Sequence, residues 1–439
     1  MKKILCADIG TSSLKSAVID EEGRVIASAR VGFAKYGDDF ASREWITALK
    51  SALDEIFKAG SSENDQESSI IIGTIDAVDS INAICISGNG PTIVAENGRT
   101  LLWNAPADKK ALELYSGRSL FIPRLLTFRS LYPEDWSASS HVFSGPEYLI
   151  NQLTGNPCTI LPEERYAEAY WSGDALKSAG FDEDEIKKLP SFVKPSDIAG
   201  KLTPEAAEIL GHSADGICGG LPVYCGAPDF ISALVGTGTL FPGTLCDRAG
   251  SSEGLNLCTK NPLHAEGVRT LPSVIPGLWN ASVLIGETGT RFARYKETLE
   301  KTAGMSVSYE DLVHAAITSD GTQPILDQGK YLMLQTAMEA RDGLNHLVRC
   351  ALDAGEKIPE SFTVSGGQAS NREWMEMKCN VMGIPAKIPS FPDAELIGDA
   401  AFTFTGMGIF PDLQTASQKL SRIKETLNPT TEDSIVFDS

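Results

Sequence analysis

The N-terminal part of the chain carries a pattern of strands and a helix that few folds accommodate. Three segments rich in β-branched and aliphatic residues are separated by glycine-containing turns, which predicts an antiparallel meander. These segments are 3–7, 13–20 and 24–33. Apolar residues then recur at helical spacing between 45 and 57, with Ser42 as a candidate helix cap, and 82–87 has the composition of another buried strand. The predicted order is βββαβ.

The length of the chain demands more than one domain, because 439 residues exceed what a single hydrophobic core usually serves. A segment at 248–254, Arg-Ala-Gly-Ser-Ser-Glu-Gly, is lettered similarly to the first turn at 8–14. Beyond it the pattern predicts strands up to about residue 285, then helices at 307–317, 329–354, 370–382 and 394–408 and a strand at 362–364. We therefore expect an α/β protein with two related halves, residues 1–245 and 246–439.

Charge and apolar run length exclude two classes of partner, and cysteine content bears on the compartment. With 38 Lys and Arg against 58 Asp and Glu, the net charge of −20 repels polyanions, so no nucleic acid partner is expected. No segment approaches the ~18 uninterrupted apolar residues of a membrane span, so no membrane partner is expected. The first apolar stretch ends at Asp8, too early for a signal peptide. The nine cysteines are scattered and form no Cys-x-x-Cys pair, which favours a reducing cytoplasm.

Residues 8–15 have the features that a phosphate-binding turn needs. Gly10 lets the backbone approach a ligand and turn its N–H groups inward, while Thr11 and Ser12 add hydroxyl donors. Asp8, at the end of a predicted strand, could hold magnesium through water. An ordinary β-hairpin turn explains the same residues equally well.

Two segments further along are ambiguous when taken alone. Asp229 follows the apolar run 221–224 and precedes an apolar helix, so a helix N-cap is the simpler explanation. The glycine-containing turn 365–371 follows a predicted strand and opens a helix, so it could receive a purine nucleotide against bare backbone. A plain strand-to-helix turn accounts for it equally well. The five histidines show no metal-ligand spacing, so no histidine metal site is expected.

In combination and in this order, these segments resemble the FGGY carbohydrate kinase family. Its members fold as two ribonuclease-H-like domains of the actin and hexokinase superfamily with a cleft between them, and the resemblance spans nearly the whole chain. The matching segments are 8–12 and 250–254 for phosphate, 86–92 and 103–104 for the sugar, 226–229 for the catalytic base, 365–368 for adenosine, and 395–401.

The resemblance implies an ATP- and Mg²⁺-dependent kinase that phosphorylates a hydroxyl of a small sugar, ketose or polyol. Sugar binding and the catalytic base are assigned to the N-terminal half and ATP binding to the C-terminal half. Asp229 becomes the general base and Asp8 the residue that holds magnesium. The implied substrate contacts are Asn89, Gly90, Trp103, Asn104 and Asp229. The implied nucleotide contacts are Asp8, Gly10, Thr11, Ser12, Lys15, Gly250, Ser251, Ser252, Gly366, Gly367, Gln368 and Asn371.

The chain departs from the family pattern at positions that matter for the acceptor. Xylulokinase-like members place an Asp and an Arg shortly after the tryptophan, where this chain has Asn104-Ala105-Pro106-Ala107. Their Gln-Met-His segment is Asn-Gly-Pro here, at 89–91. Two rival hypotheses therefore stay open: a sugar-binding sensor or pseudokinase that has lost turnover, and a kinase of the same superfamily that acts on a carboxylate. Neither the acceptor nor the oligomeric state follows from these residues, which leaves a homodimer open.

Overall fold

The computed structural model describes residues 1–59, 70–71 and 81–430 of the chain. These residues form two compact units. Unit 1 comprises Met1–Ser232 and Glu395–Leu420, and unit 2 comprises Ala233–Ala394 and the residues from Ser421 onward. Each unit is built around a main sheet of seven strands.

Unit 1 begins with the predicted meander. Its strands are, in chain order, β1 (Lys3–Ile9), β2 (Ser13–Asp20), β3 (Val25–Gly32), β4 (Ile70–Ile71), β5 (Ala83–Gly88), β6 (Ile93–Ala95), β7 (Thr100–Leu101), β8 (Val142–Phe143), β9 (Thr159–Ile160), β10 (Phe192–Val193), β11 (Ile198–Lys201) and β12 (Pro222–Pro228). The main sheet has the order β11-β12-β5-β1-β2-β3-β4. Strands β1, β5 and β12 run parallel, whereas β1, β2 and β3 pair antiparallel. The remaining strands form a sheet of order β7-β6-β8 and a β9–β10 pair.

The helices of unit 1 are mostly short. They are α1 (Trp45–Ala59), α2 (Lys109–Leu114), α3 (Ile122–Leu131), α4 (Pro133–Ala138), α5 (Gly145–Thr154), α6 (Gly173–Ser178), α7 (Glu183–Ile186) and α8 (Pro204–Leu210). Helix α9 (Asp229–Gly236) begins at the end of the unit. Three short 3₁₀ helices occupy Asp38–Glu44, Glu164–Glu168 and Ser213–Asp215.

The core of unit 1 explains its sequence pattern. Every residue of β1 is buried, because this central strand is covered on both faces and needs no polar alternation. Trp45, Leu49 and Leu53 of α1 fall at helical spacing and join the same apolar cluster as β1 and β2. The predicted cap at Ser42 is wrong: this residue lies inside the 3₁₀ helix before α1, and its hydroxyl donates to the Gly98 carbonyl at 3.0 Å.

Unit 2 repeats the same plan. Its strands are β13 (Leu245–Ala249), β14 (Glu253–Thr259), β15 (Arg269–Pro272), β16 (Trp279–Gly286), β17 (Phe362–Ser365), β18 (Ala386–Pro389) and β19 (Ile423–Leu427). The sheet order is β15-β16-β14-β13-β17-β18-β19. Its helices are α10 (Thr288–Ala303), α11 (Tyr309–Thr318), α12 (Pro324–Asp353) and α13 (Arg372–Met382), with a 3₁₀ turn at Gly367–Ser370. The long α12 packs on the sheet through buried residues such as Ala340, Leu344 and Leu347.

The chain then returns to unit 1. Helix α14 (Ala394–Gly406) and helix α15 (Leu413–Leu420) follow β18, and all but the first residue of α14 belongs to unit 1. None of the helices in the described part of the chain is long and apolar enough to cross a membrane.

The two main sheets share one topology. In unit 1 the order β3-β2-β1-β5-β12, and in unit 2 the order β16-β14-β13-β17-β18, place an antiparallel meander beside two strands that run parallel to its first strand. This repeat confirms the predicted α/β class with two related halves. Residue 245 is the first of β13, the strand equivalent to β1. The assignment of separate functional domains to 1–245 and 246–439 stays a prediction.

Candidate active site

The parallel strands of unit 1 bring predicted site residues to one edge of the sheet. Ile9 of β1 and Pro228 of β12 both pair with Gly88 of β5, so the three strands are level where they end. The residues that follow these strands are Gly10, Asn89 and Asp229. Ligands in α/β sheets bind beyond the carboxyl ends of parallel strands. The strand register thus gathers the predicted phosphate turn, one sugar contact and the predicted base.

The turn between β1 and β2 exposes groups that a phosphate could contact. The Gly10 N–H donates to the Ser13 carbonyl at 2.9 Å, and a Cβ on Gly10 would lie 2.9 Å from that oxygen, so the turn requires glycine. Thr11 and Ser12 are exposed. The Trp103 indole N–H donates to the Thr11 hydroxyl at 2.9 Å. The predicted phosphate turn and the predicted sugar segment are therefore in contact.

Asp8 is buried beneath this turn, with 2% of its surface exposed. In the strand register it is opposite Ser87 of β5 and Lys15 of β2. Burial raises the pKa of the Asp8 carboxyl to about 7, an effect that Lys15 opposes. The nearby carboxylates of Glu395 and Asp229 raise this pKa further. A cation at this edge would offset these effects, because it would stabilise the ionised form of Asp8.

Asp229 is the first residue of α9, directly after β12. Its carboxylate accepts a hydrogen bond from the Phe230 N–H at 2.6 Å, and the residue is half-buried. A general base must combine a fixed position with access to the substrate hydroxyl, and this placement supplies both. The same placement also suits a residue that only starts a helix, so its role as base stays a prediction.

The predicted sugar segment is linked by hydrogen bonds. Asn89 is 3% exposed, and its Oδ1 accepts from the Thr92 hydroxyl at 2.6 Å. The Thr92 hydroxyl oxygen in turn accepts a hydrogen bond from the backbone N–H of Trp103 at 3.1 Å. Within the part of the chain that the structure describes, Nδ2 of Asn89 is buried and has no hydrogen-bond partner. An unpaired buried donor is costly, so Asn89 is prepared to donate to a ligand.

The other two predicted sugar contacts are less confined. Gly90 is half-buried, and the nearest atom to a Cβ added there would be Oγ of Ser144 at 3.7 Å. Asn104 is exposed and lines a cavity of about 570 Å³ together with Ala105, Ala107 and nine other residues.

Helix α14 contributes residues to this edge to which the sequence assigned no role. Glu395 lies 3.4 Å from the Lys15 ammonium, and its Oε2 is buried without a hydrogen-bond partner among the described residues. Asp399, one helical turn further on, is fully buried and contacts Ser87 and Ser232. The available signal was the pair of acids four residues apart on an otherwise apolar helix, a spacing that places both on one face.

The turn between β13 and β14 in unit 2 is the second predicted phosphate turn. The Gly250 N–H donates to the Ser252 carbonyl at 3.1 Å. Ser251 is exposed, and its carbonyl accepts from the Thr290 N–H at 3.1 Å. A Cβ on Gly289 would lie 2.1 Å from the Gly250 carbonyl, so the start of α10 packs directly on the turn. This contact fixes the turn while its hydroxyl groups remain accessible.

The predicted adenosine turn lies beside it. Gly366 has φ +90°, and a Cβ there would lie 2.5 Å from the Ala249 carbonyl, so both its conformation and its space require glycine. A Cβ added to Gly367 would meet no heavy atom within 4 Å. Asn371 caps α13 by accepting from the Trp374 N–H at 2.9 Å. Gly367 is therefore the position in this turn where the backbone faces open space.

Gln368 does not project from this turn. It is 6% exposed, its Nε2 donates to Glu253 Oε2 at 2.7 Å, and its Oε1 accepts from the Lys378 ammonium at 3.0 Å. Lys378 is fully buried, lies 2.7 Å from Glu253 Oε1 and forms an ion pair with Asp247. The Thr288 hydroxyl also donates to Glu253 at 2.8 Å. The Gln368 side chain thus serves a buried network, and a nucleotide contact here would come from its backbone.

Unit 1 contains carboxylates that could bind a divalent cation. Asp8 and Glu395 offer carboxylate oxygens, the ligand type that Mg²⁺ prefers, and Glu395 Oε2 lacks a partner among the described residues. Within the described ranges, no group of three or more His, Cys, Asp or Glu side chains is arranged to hold a metal ion. The residues therefore fit an ion that takes few protein ligands and is completed by phosphate oxygens and water, as is usual for Mg²⁺.

Comparisons with known proteins find distant relatives over most of the chain. No protein-family model matches the chain. The xylulose kinase of Staphylococcus epidermidis is 20% identical over 497 aligned residues, covering 99% of this chain and 94% of that kinase. The human FGGY carbohydrate kinase domain-containing protein is 24% identical over 383 residues, covering 72% of this chain and 69% of that protein.

Two solved structures share the fold. The xylulose kinase of Lactobacillus acidophilus has a TM-score of 0.72 at 14% identity, covering 99% of this chain and 95% of that one. The glycerol kinase of Plasmodium falciparum with ADP has a TM-score of 0.71 at 14% identity, covering 98% of this chain and 94% of that one. These comparisons confirm the resemblance to FGGY carbohydrate kinases and the actin/hexokinase-type α/β fold.

Proposed function

We propose that this chain is an ATP-dependent carbohydrate kinase that transfers a phosphoryl group to a hydroxyl of a small sugar, ketose or polyol. The observation that carries the proposal is the level ending of three parallel strands, which brings Gly10, Asn89 and Asp229 to one edge. A phosphate turn, an amide donor and a carboxylate are what phosphoryl transfer to an alcohol needs at the acceptor. The names of the relatives, xylulose kinase above all, support this reading.

Asp229 would accept the proton of the attacking hydroxyl. Because it is half-buried and held by the Phe230 N–H, its carboxylate is positioned yet accessible. Removal of the proton makes the acceptor oxygen a better nucleophile as the bond to phosphorus forms. The remaining catalysis is positioning and neutralisation of phosphate charge.

ATP would be held in unit 2 by backbone and hydroxyl groups. The Gly250–Ser252 turn offers exposed donors, and open space at Gly367 allows a flat base to lie against the backbone. The glycerol kinase structure with ADP shares this fold, which supports a nucleotide site here. The chain thus needs no strongly basic surface to hold phosphates.

Magnesium is part of the proposal. When bound, Mg²⁺ neutralises charge on the transferring phosphoryl group. Asp8 would hold it, directly or through water, and the unpaired Oε2 of Glu395 would add negative potential. A bound cation would stabilise the ionised form of Asp8, whose pKa burial raises to about 7.

An oxygen of the acceptor molecule would accept a hydrogen bond from Nδ2 of Asn89, which is unpaired among the described residues. Trp103, 42% exposed and bonded to Thr11, would border the acceptor on the phosphate side. The cytoplasmic location expected from the sequence belongs to the same proposal. It is supported by the nine cysteines, all of which are free thiols.

The test is an ADP-release assay with Mg²⁺-ATP across pentuloses, hexuloses, polyols and aldonates, with acetate as the carboxylate acceptor. Acceptor-dependent ADP release that is lost in Asp229→Asn supports the kinase. Binding of one sugar by calorimetry without turnover on any acceptor would instead support a sensor, the alternative motivated by the altered segment at 105–107. Turnover on acetate alone would replace the alcohol acceptor by a carboxylate.

A further inference from the structure

Beneath the proposed catalytic edge, three polar side chains form a hydrogen-bonded chain that ends at Asp8. Oγ of Ser232 lies 2.9 Å from Oδ1 of Asp399, and Oδ2 of Asp399 lies 2.7 Å from Oγ of Ser87. Oγ of Ser87 lies 3.1 Å from Oδ1 of Asp8. Asp399, Ser87 and Ser232 are all fully buried, so water does not compete for these bonds.

We propose that Asp399 is a positioning residue that holds Asp8 through Ser87 and holds the first turn of the Asp229 helix through Ser232. This inference rests on the proposed function for the roles of Asp8 and Asp229. It adds a residue that touches neither substrate nor cofactor and that lies in the matching segment 395–401, to which the sequence assigned no role.

The placement of the two serine partners explains why the Asp399 carboxyl group can hold both Asp8 and the start of the Asp229 helix. Ser87 is opposite Asp8 in the register between β1 and β5. Ser232 follows Asp229 by three residues in α9, so the two lie on the same side of its first turn. Asp399 on α14 therefore connects the end of β5 with the start of α9, two segments that are far apart in the sequence.

Hydrogen counting allows two directions for the chain, and the proposed role of Asp8 as an ionised ligand of a cation selects one of them. A serine hydroxyl carries one hydrogen, and Ser87 lies between two carboxyl groups, so it can donate to only one of them. If it donates to Asp8, which leaves Asp8 a pure acceptor, then Asp399 must donate to the Ser87 oxygen. Ser232 then donates to the other oxygen of Asp399. In this order every bond has one hydrogen, and Asp8 remains ionised for a cation.

The surroundings of Asp399 agree with a donor role. Burial raises the pKa of the Asp399 carboxyl well above its ordinary range, and the charge of Asp8 adds to the rise. A Cβ on Gly226 would lie 2.8 Å from Oδ1 of Asp399, and a Cβ on Gly398 would lie 1.9 Å from the Ser232 carbonyl. Strand β12 thus packs closely against the Asp399 carboxyl group, and helices α9 and α14 pack closely against each other. This leaves the carboxyl group little room to reorient.

The chemical consequence is specific. An asparagine at 399 has an oxygen that accepts from Ser232 and an NH₂ group that donates to Ser87, so it reproduces the chain. An alanine removes both bonds. Because misplacement by about 1 Å can cost roughly 10²-fold in rate, Asp399→Ala should lower kcat by at least tenfold while Asp399→Asn keeps more than a third of it.

The experiment measures kcat, both KM values and the melting temperature for these two variants. Thr403→Val is the matched control, since Thr403 is equally buried one turn along α14, and its hydroxyl bonds the Asp399 carbonyl within its own helix and the Cys85 side chain. The expected result is a loss in kcat for Asp399→Ala with KM values within threefold of wild type, and near wild-type kinetics for the control. Wild-type kcat in Asp399→Ala, or equal losses in Asp399→Ala and Asp399→Asn, would overturn the proposal.

A second readout does not depend on turnover. Crystal structures of the wild type and of Asp399→Ala should show that the Ser87 side chain changes rotamer and that the Asp8 carboxyl group moves. An unmoved Ser87 and Asp8 would refute the positioning role even if the protein phosphorylates nothing, whereas a kinase that is inactive on all acceptors refutes only the proposed function. If Asp399→Ala does not fold, Ser87→Ala removes two bonds of the chain and Ser232→Ala removes one, and wild-type kcat in both variants would count against the chain.

Discussion

Replacing Asp229 by Asn separates a general base from a residue that only begins a helix. The carboxylate accepts from the Phe230 N–H at 2.6 Å, and the Asn carbonyl oxygen can accept the same bond. Asn is also about as good as Asp at a helix start. Because Asp229 is half-buried and keeps this bond, the free energy of unfolding should change by less than about 1 kcal/mol.

Turnover should respond very differently. An amide cannot accept the proton of the acceptor hydroxyl, so kcat should fall by roughly 10²–10⁴, which corresponds to about 3–5 kcal/mol in activation free energy. The acceptor is still neutral in the ground state, so its affinity should change far less than kcat. Loss of one negative charge near Asp8 should leave nucleotide binding intact.

The assay is ADP release at saturating ATP, with sugar binding by calorimetry and unfolding by urea. Asp182→Asn is the matched control, because Asp182 caps α7 with two backbone N–H bonds at an exposed helix start away from the strand ends. It should keep wild-type turnover. A folded Asp229→Asn protein with more than about a tenth of wild-type kcat would show that Asp229 contributes no base of this size.

Four further outcomes follow from the structure. Asp8→Ala should weaken the magnesium-dependent part of nucleotide binding far more than sugar binding, as two calorimetric titrations can show; equal losses would make Asp8 a structural residue. Gly367→Val should raise the KM for ATP without lowering the melting temperature, since a side chain there meets only open space; an unchanged KM would place the nucleotide elsewhere. Lys378→Met should lower the free energy of unfolding in urea by about 3–5 kcal/mol, because two buried acids lose their cation, and a loss below about 1 kcal/mol would contradict this. Burial raises the pKa of Glu147 to about 7, so its stabilising contribution is complete below about pH 4.5 and is lost as the pH rises through 7. Glu147→Gln should therefore raise the free energy of unfolding at pH 8 and change it little at pH 4.5, and the reverse order would refute this reasoning.

The sequence predicts the parts of this protein that depend on local rules. Glycines with close neighbours, such as Gly10, mark turns that no other residue can form, and such turns are visible as short motifs. Helices α11 to α14 were predicted within a few residues, except that α12 begins earlier, at Pro324. Apolar periodicity is strong over these lengths, which is why the prediction works.

What the sequence could not supply are contacts that depend on strand register and on distant segments. Ser87 acquires a partner in Asp8 only because β1 and β5 are aligned in one register. Asp399 reaches both serines only because the chain returns to unit 1 after β18. Gln368 is a predicted nucleotide contact, and no sequence pattern indicated that Glu253 and Lys378 hold its side chain inside unit 2 and leave its backbone for such a contact. Such polar networks have no periodicity and so leave no pattern to read.

The distribution of charge explains how a protein with a net charge of −20 can be expected to bind ATP. Lys15 is engaged by Glu395, and Lys378 is fully buried between two acids, so both lysines near the predicted phosphate turns balance local carboxylates. Backbone N–H groups and hydroxyls at the two turns are uncharged donors that act only at contact distance. The negative net charge of the protein therefore weakens them little. A site of this kind tolerates an acidic surface and depends on a cation that arrives with the nucleotide. Under the proposed function, the buried acids around Asp8 would therefore favour a magnesium complex of ATP over the free nucleotide as the substrate.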